Sequence, residues 1–273
     1  MRSGRRFYKM TGSGNDFVFF DVRSERAPAL ETPEAIAKLC ARGTGVGADG
    51  VVFLDSSSTG GVAIRYYNAD GSRADLCGNA TLCTARLAVL LGAAPADAVA
   101  IETDAGAVTA RINAHGAPEF DLPSVAAVAP AREDIGMGAN ELRLGYATVG
   151  VPHVVIRVPD VESADVLGRG RSVRHAPELP AGANVNFVAR DQDGGWSIRT
   201  FERGVEGETL ACGTGSVATA VLLTAWGEAE GDVALRTRSG KVLTIRAAET
   251  AGEWRASLSG EGRLVFEGEL VEL

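Results

Sequence analysis

The chain carries one segment twice. Ile64 to Gly92 (IRYYNADGSRADLCGNATLCTARLAVLLG) parallels Ile198 to Gly227 (IRTFERGVEGETLACGTGSVATAVLLTAWG). Ile-Arg opens both, a Cys-Gly step follows 13 or 14 residues later, and a glycine closes each 15 residues after its cysteine. Behind each cysteine runs a helix-length stretch, Gly78 to Leu91 and Gly213 to Trp226, with no polar face beyond small hydroxyls and Arg86. A helix that is apolar all round must be covered on every side. The cover is available in many short alternating segments bounded by Gly, Pro or Asp, among them DFVFFDV, VAIRYY, HVVIRV, WSIRTF and KVLTIR. That alternation marks antiparallel strands. The repeat therefore predicts an α/β (α+β) chain of two pseudo-symmetric domains facing each other, each a mostly antiparallel, barrel-like sheet wrapped around a central helix. A second echo pairs NDFVFFD, Asn15 to Asp21, with VNFVARD, Val185 to Asp191.

Length and charge agree with this organisation. The 273 residues suit two domains with a substantial core. Acidic residues outnumber basic ones by 35 to 27, for a net charge of −8, and no Lys/Arg cluster offers a nucleic-acid footprint. The longest apolar runs are about half a membrane span. The N-terminal MRSGRRFYKM has three arginines but lacks the apolar stretch of a secretory signal, so a cytoplasmic protein with reduced thiols is expected. Its cysteines, Cys40, Cys77, Cys83 and Cys212, form no C-x-x-C and have no histidine nearby, so neither a zinc site nor a disulfide framework is expected.

Local signals place further elements. Thr32-Pro33-Glu34 caps and opens a helix through about Arg42, and a weaker helix is expected over Val161 to Leu167. Gly45 to Gly50 (GVGADG) matches the dinucleotide fingerprint, but it follows a helix and precedes a strand, the reverse of the required order.

The two Cys-Gly steps carry the chemistry. A cysteine just ahead of a helix meets the positive end of the dipole and its free N–H groups, which favour thiolate near neutrality. The same N–H groups cradle a carboxylate. Two such sulfurs, Cys77 and Cys212, suit removal of a proton from one face of a carbon and its return to the other, one starting as thiolate and one as thiol. Helix N-termini aimed at the adjacent carboxylate would stabilise the developing charge, so no cofactor is required. The three lysines, Lys9, Lys38 and Lys241, offer no good pyridoxal attachment site. Asn68, Asn79 and Asn184 supply amides, Arg203 a carboxylate fork and Glu202 a partner for an ammonium group. Taken singly, each asparagine also reads as a turn residue and Glu202-Arg203 as a surface pair. Cys40 and Cys83 fall within helices and read as buried apolar side chains.

GSGNDFVFFD near the N-terminus, YYNADGSRADLCGNA around Cys77 and FERGVEGETLACGTGSVA around Cys212 together resemble the diaminopimelate epimerase family, from about Lys9 to the last strand. The resemblance implies two α/β domains with the active site in the cleft between them, residues 1–122 plus about 263–273 forming the first and 123–262 the second. It implies conversion of LL-2,6-diaminoheptanedioate to the meso isomer without pyridoxal phosphate or metal, on the route to lysine and peptidoglycan. Cys77 and Cys212 become the acid/base pair; Gly78, Asn79, Gly213 and Thr214 hold the reacting carboxylate. Asn15, Asn68, Asn184, Glu202 and Arg203 match positions that grip the substrate, and His153 is a supporting candidate. The expected partner is a small amino acid, with neither nucleic acid nor membrane involved, and a homodimer is expected.

Two departures stand out. Gly150-Val151-Pro152-His153 has Val151 where family members commonly carry a substrate-touching asparagine, and Gly50 replaces a glutamine found in some members. Two alternatives follow from the residues: a related cofactor-independent racemase acting on another amino acid such as histidine, and a non-catalytic amino-acid binder or redox sensor. Loss of racemisation in folded Cys77→Ala or Cys212→Ala separates an enzyme from a binder.

Overall fold

Glycine-rich turns cut the chain into short strands, and the computed structural model describes residues 4–122 and 124–273. The first three residues of the arginine-bearing N-terminus, and residue 123, where the second domain is expected to begin, lie outside that description. The chain divides into two compact units, Met1–Phe120 with Ser259–Leu273, and Asp121–Leu258.

The first unit runs β1 (Arg5–Gly12), β2 (Asn15–Asp21), α1 (Pro33–Cys40), β3 (Gly50–Ser56), β4 (Val62–Asn68) and β5 (Arg73–Ala74). It continues through α2 (Gly78–Leu90), β6 (Val99–Thr103), β7 (Gly106–Ile112) and β8 (Pro118–Asp121). The second runs β9 (Ala126–Ala129), β10 (Arg143–Val149), β11 (Val151–Arg157), α3 (Val166–Arg174), β12 (Asn184–Arg190) and β13 (Trp196–Glu202). There follow β14 (Gly207–Thr209), α4 (Gly213–Ala225), β15 (Asp232–Arg236), β16 (Val242–Thr250) and β17 (Glu253–Ser259). Finally β18 (Arg263–Leu270) returns to the first unit and pairs antiparallel with β1.

One pairing scheme serves both units. In the first, β1–β2, β3–β4, β4–β5 and β6–β7 are antiparallel, while β2–β3 and β4–β6 are parallel. In the second, β10–β11, β12–β13, β13–β14 and β15–β16 are antiparallel, while β11–β12 and β13–β15 are parallel. Each parallel pair is linked by a helix, since only a crossover can bring the chain back in the same direction. On this scheme β2 corresponds to β11, and β3 to β12. The echo of Asn15–Asp21 with Val185–Asp191 therefore joins strands in different places. Both strands are buried on two faces, at Phe17–Phe20 and Asn184–Ala189, and so carry similar apolar runs.

The two apolar helices are covered as their composition demands. Asn79 to Ala85 of α2 and Gly215 to Leu223 of α4 are buried without a break. Helix α2 packs on β1, β4, β6, β7 and β18, and α4 on β10, β11, β12 and β16. Their buried hydroxyls bond back along the helix: Thr81 to the Cys77 carbonyl (3.0 Å) and Thr84 to Ala80 (2.8 Å), matched by Ser216 to Cys212 (2.9 Å) and Thr219 to Gly215 (2.8 Å). That local bonding lets small polar residues sit in a core without unpaired donors. The other helices cover separate clusters. Ile36 and Leu39 of α1 meet Phe20 and Phe53, and Val166 and Val173 of α3 meet Phe187 and Phe201. Each such large side chain, fully buried, contributes roughly 1.5–3 kcal/mol.

Helix α1 starts as expected, with Thr32 Oγ1 accepting from the Ala35 N–H at 3.2 Å, and it ends at Cys40. The weaker helix lies further on than Val161 to Leu167. Asp160 holds a turn by accepting from the N–H groups of Glu162 and Ser163, and Asp165 caps α3 through Gly168 at 2.8 Å. Among the described residues no helix is long and apolar enough to cross a membrane.

Candidate active site

In the first unit Cys77 is the N-cap of α2, with extended backbone (φ −132°, ψ 115°) and a half-buried side chain. The N–H groups of Gly78 and Asn79 belong to the first turn, where no intrahelical carbonyl receives them. Asn79 is buried, and its Nδ2 donates to Asn15 Oδ1 at 2.7 Å. Asn15 in turn donates to Asp49 Oδ2 at 3.0 Å, and the Asp16 N–H donates to the same oxygen at 3.2 Å. Arg42 bridges Asp49 (2.8 Å) and Asp16 (2.6 Å), and buried Lys9 donates to Asp16 at 2.6 Å. Asn79 Oδ1 is buried with no hydrogen-bond partner among the described residues. Asn68 closes the turn after β4, its Nδ2 donating to Ser72 Oγ at 3.0 Å.

In the second unit Cys212 caps α4 in the same way (φ −127°, ψ 108°), followed by Gly213 and Thr214. The Thr214 hydroxyl lies 3.7 Å from the sulfur. Glu202, at the end of β13, accepts from the Thr209 hydroxyl at 2.7 Å, and its charge acts on the Cys212 thiol. Desolvation, then the Glu202 charge, hold the Cys212 thiol well above its usual range, although the Gly215 N–H and the Thr214 hydroxyl pull the other way. This corrects the expectation that a helix N-terminus alone would favour thiolate here. Its donors are present, but they are outweighed by burial and a neighbouring carboxylate.

Asn184 and Arg203 meet, the Arg203 N–H donating to Asn184 Oδ1 at 2.8 Å, while the Arg203 guanidinium donates to the Ala181 carbonyl at 2.9 Å. His153, on β11 beside Asn184 of β12, is fully buried. Its Nδ1 lies 3.4 Å from Asn186 Nδ2, and its Nε2 is buried with no partner among the described residues. Burial, then the Arg203 charge, push the imidazole down to about 3, so the ring is neutral. With Asn186 as donor, the ring proton falls on Nε2. Asn186 also donates to the Val154 carbonyl (3.0 Å) and accepts from Thr200 (3.0 Å).

The sequence pattern missed Asp49, Arg42 and Asn186. Asp49 sits in the GVGADG stretch, whose false fingerprint hides its link to Asn15. Cys40 and Cys83 are buried as expected, burial pushing Cys40 up to about 11 and holding Cys83 well above its usual range. Among the described residues none of the four cysteines is joined in a disulfide.

The family model described as diaminopimelate epimerase matches residues 7–126 and 145–263. The chain is 46% identical over 277 residues to the diaminopimelate epimerase of Gemmatimonas aurantiaca, covering 98% of this chain and 99% of that one. It is 37% identical over 279 residues to that of Aquifex aeolicus, covering 97% and 98%. Among solved structures it resembles a PhzF-family phenazine biosynthesis protein of Bacillus anthracis, with a TM-score of 0.75, 15% identity and 100% of both chains covered. A hydroxyproline epimerase of Agrobacterium vitis gives 0.63 at 17% identity, covering 98% and 93%. At such identities the structural likeness is one of fold. Sequence and fold together define an isomerase of the racemase and epimerase class. Within that class, the chain belongs to the diaminopimelate epimerase family.

Proposed function

We propose that the chain converts LL-2,6-diaminoheptanedioate to its meso isomer by a two-base exchange of the α-proton that needs no cofactor. The observation that carries this reading is a half-buried cysteine at the N-cap of a buried helix, once in each unit. One sulfur, as thiolate, takes the α-proton, and the other, as thiol, returns a proton to the opposite face; the reverse reaction exchanges their roles. Cys212, desolvated beside Glu202, starts as the thiol, which leaves Cys77 as the base. Charge developing on the adjacent carboxylate is met by the N–H groups of Gly78, Asn79, Gly213 and Thr214.

Asn15, Asn68, Asn184 and Arg203 grip the rest of the substrate, Arg203 through its carboxylate-matching fork. Glu202 acts on the Cys212 thiol through its charge and offers that charge to an ammonium group. Neutral His153 supports the second half of the site as a donor at Nε2. The product feeds lysine and peptidoglycan synthesis in the cytoplasm. The working form is a homodimer, a reading favoured by the apolar Val265 and Phe266, 46% and 48% exposed on β18.

Incubation with LL-diaminopimelate in deuterium oxide, with no cofactor added, tests the chemistry. The expected outcome is meso product carrying deuterium at one α-carbon. Reduced, folded protein that exchanges no proton would sink this proposal.

A further inference from the structure

The two cysteine units differ in length by one residue: Ile64 stands 13 residues before Cys77, and Ile198 stands 14 before Cys212. Strand pairing places the difference in the turn. Tyr67 of β4 lies opposite Arg73 of β5 and the Asn68 N–H donates to the Ser72 carbonyl at 2.8 Å, so Ala69 to Gly71 make the first turn. Glu202 of β13 lies opposite Gly207 of β14, so the second turn is one residue longer, Arg203 to Glu206. The first turn closes on its own side chains, Asp70 accepting from the Ser72 N–H (2.8 Å) and hydroxyl (2.6 Å). The second is held from outside. Glu206 has φ 57°, a left-handed conformation that favours glycine and that a glutamate keeps only where its surroundings impose it. Its N–H donates to the Glu202 carbonyl at 2.8 Å. Its Oε1 accepts from the Gly204 N–H at 3.0 Å and from Nε of Arg174, the last residue of α3, at 3.1 Å. Its Oε2 lies 3.4 Å from His175 Nε2. Arg174 crosses Gly182, where a Cβ would overlap its guanidinium, next to the Ala181 carbonyl that takes the Arg203 guanidinium.

We infer that Glu206 is a positioning residue for substrate binding: its carboxylate locks the β13–β14 turn to the end of α3 and so sets Glu202 and the Arg203 fork in place before substrate arrives. The inference rests on the proposed grip of Arg203 on the substrate for its kinetic consequence, while the lock itself needs no substrate. One carboxylate oxygen receives both a backbone donor of the turn and a guanidinium, and charge-assisted bonds of this kind are the stronger ones. Arg203 sits between two fixed points. Its own N–H donates to Asn184 at 2.8 Å, and the N–H of the next residue, Gly204, donates to Glu206. Without the lock, a four-residue turn with two exposed residues at its tip, Gly204 and Val205, would have to be ordered when substrate binds. Arg174 has a second effect. By engaging Glu206 it keeps that carboxylate from competing with a substrate carboxylate for the Arg203 fork.

The test pairs amide hydrogen exchange with steady-state kinetics on the full chain. Glu206→Gly removes the carboxylate and suits the backbone conformation, so the variant should fold. It is expected to exchange the amides of residues 203–207 about fivefold faster and to raise KM for LL-diaminopimelate about fivefold with kcat nearly unchanged, the split that marks lost binding rather than lost chemistry. Glu206→Gln keeps an acceptor for the Gly204 N–H but offers Arg174 no charge, and its KM should fall between the two. Unchanged exchange in the turn of folded Glu206→Gly would overturn the inference, as would faster exchange with KM unmoved, or a loss confined to kcat. Wild-type protein whose turn exchange depends on Glu206 yet which exchanges no α-proton would sink the two-base reading while leaving the lock in place.

Discussion

Asn79, one residue into the turn that follows Cys77, donates its side-chain amide to Asn15 at 2.7 Å, and Asn15 is itself held by Asp49 at 3.0 Å. The chain of three side chains fixes which way the Asn79 amide points, and its buried oxygen has no partner among the described residues. Asp49→Ala removes the anchor. With Arg42 more than half exposed, the lost ion pair should cost little stability. The expected effect is a fall in kcat/KM of about tenfold or more, from the loss of one charge-assisted bond that sets geometry. Michaelis kinetics with LL-diaminopimelate check this; an unchanged kcat/KM in folded protein would show that Asn15 is oriented by something else.

Glu202 against Cys212 makes a prediction about alkaline pH. The folded thiol lies above its ordinary value of 9.0, through desolvation and then the Glu202 charge. A group raised on folding contributes fully below its unfolded pKa and loses that contribution as pH rises beyond it. Wild-type Tm should therefore decline above about pH 9. Glu202→Gln removes the charge, so Cys212 alkylation should begin at lower pH and the alkaline decline should soften, while epimerase activity falls. An identical Cys212 profile in the two proteins would mean that desolvation alone sets the thiol.

Much of this was legible because the repeat is local. Equal spacing from cysteine to closing glycine located both buried helices and both N-caps, and it also lined up the back-bonding hydroxyls of Thr81 with Ser216 and Thr84 with Thr219. What stayed hidden depends on pairing between distant strands. Asp49 reaches Asn15 because β3 lies parallel to β2, with Phe17 opposite Gly50, and nothing near Asp49 in sequence announces that. Glu202 can be picked out as a candidate carboxylate, but its place near a sulfur is set by β13 and β14 running side by side. Depth of burial was equally invisible. A helix N-terminus can be read from Cys-Gly, whereas the desolvation that raises Cys212 cannot.

The two glycines after Cys212 are not equivalent, and alanine at each should show it. A Cβ at Gly215 would stand 2.2 Å from Asn186 Oδ1 and 3.2 Å from Cys212 Sγ. Asn186 is buried and held by Thr200 and Val154, so it has little room to give. Alanine gains up to about 1 kcal/mol in helix propensity, but overpacking costs roughly 1–3 kcal/mol. Gly215→Ala should therefore lower Tm and reduce kcat more than tenfold. Gly213→Ala meets only the Leu258 side chain, at 3.2 Å, and should keep its Tm. Thermal melts of the two variants decide the matter, and equal Tm losses would remove the steric argument.

His153 sets the acid side. Burial, then the positive charge of Arg203, hold its imidazole at about 3, below the ordinary 6.5. A base depressed on folding contributes fully above its unfolded pKa, and the contribution is lost as pH falls through the folded one. The stability it supplies should thus be complete above about pH 6.5 and drain away towards about pH 3. His153→Gln cannot ionise. It should be less stable at pH 7, where Asn186 loses its ring partner, and should show a shallower decline between pH 6.5 and 4 than wild type. Denaturant melts at several pH values across that window measure the two slopes. The ring remains neutral throughout the neutral range, so any acidic limb of the activity profile near pH 6 should survive the substitution. Parallel stability slopes in the two proteins would assign the acid sensitivity to other groups.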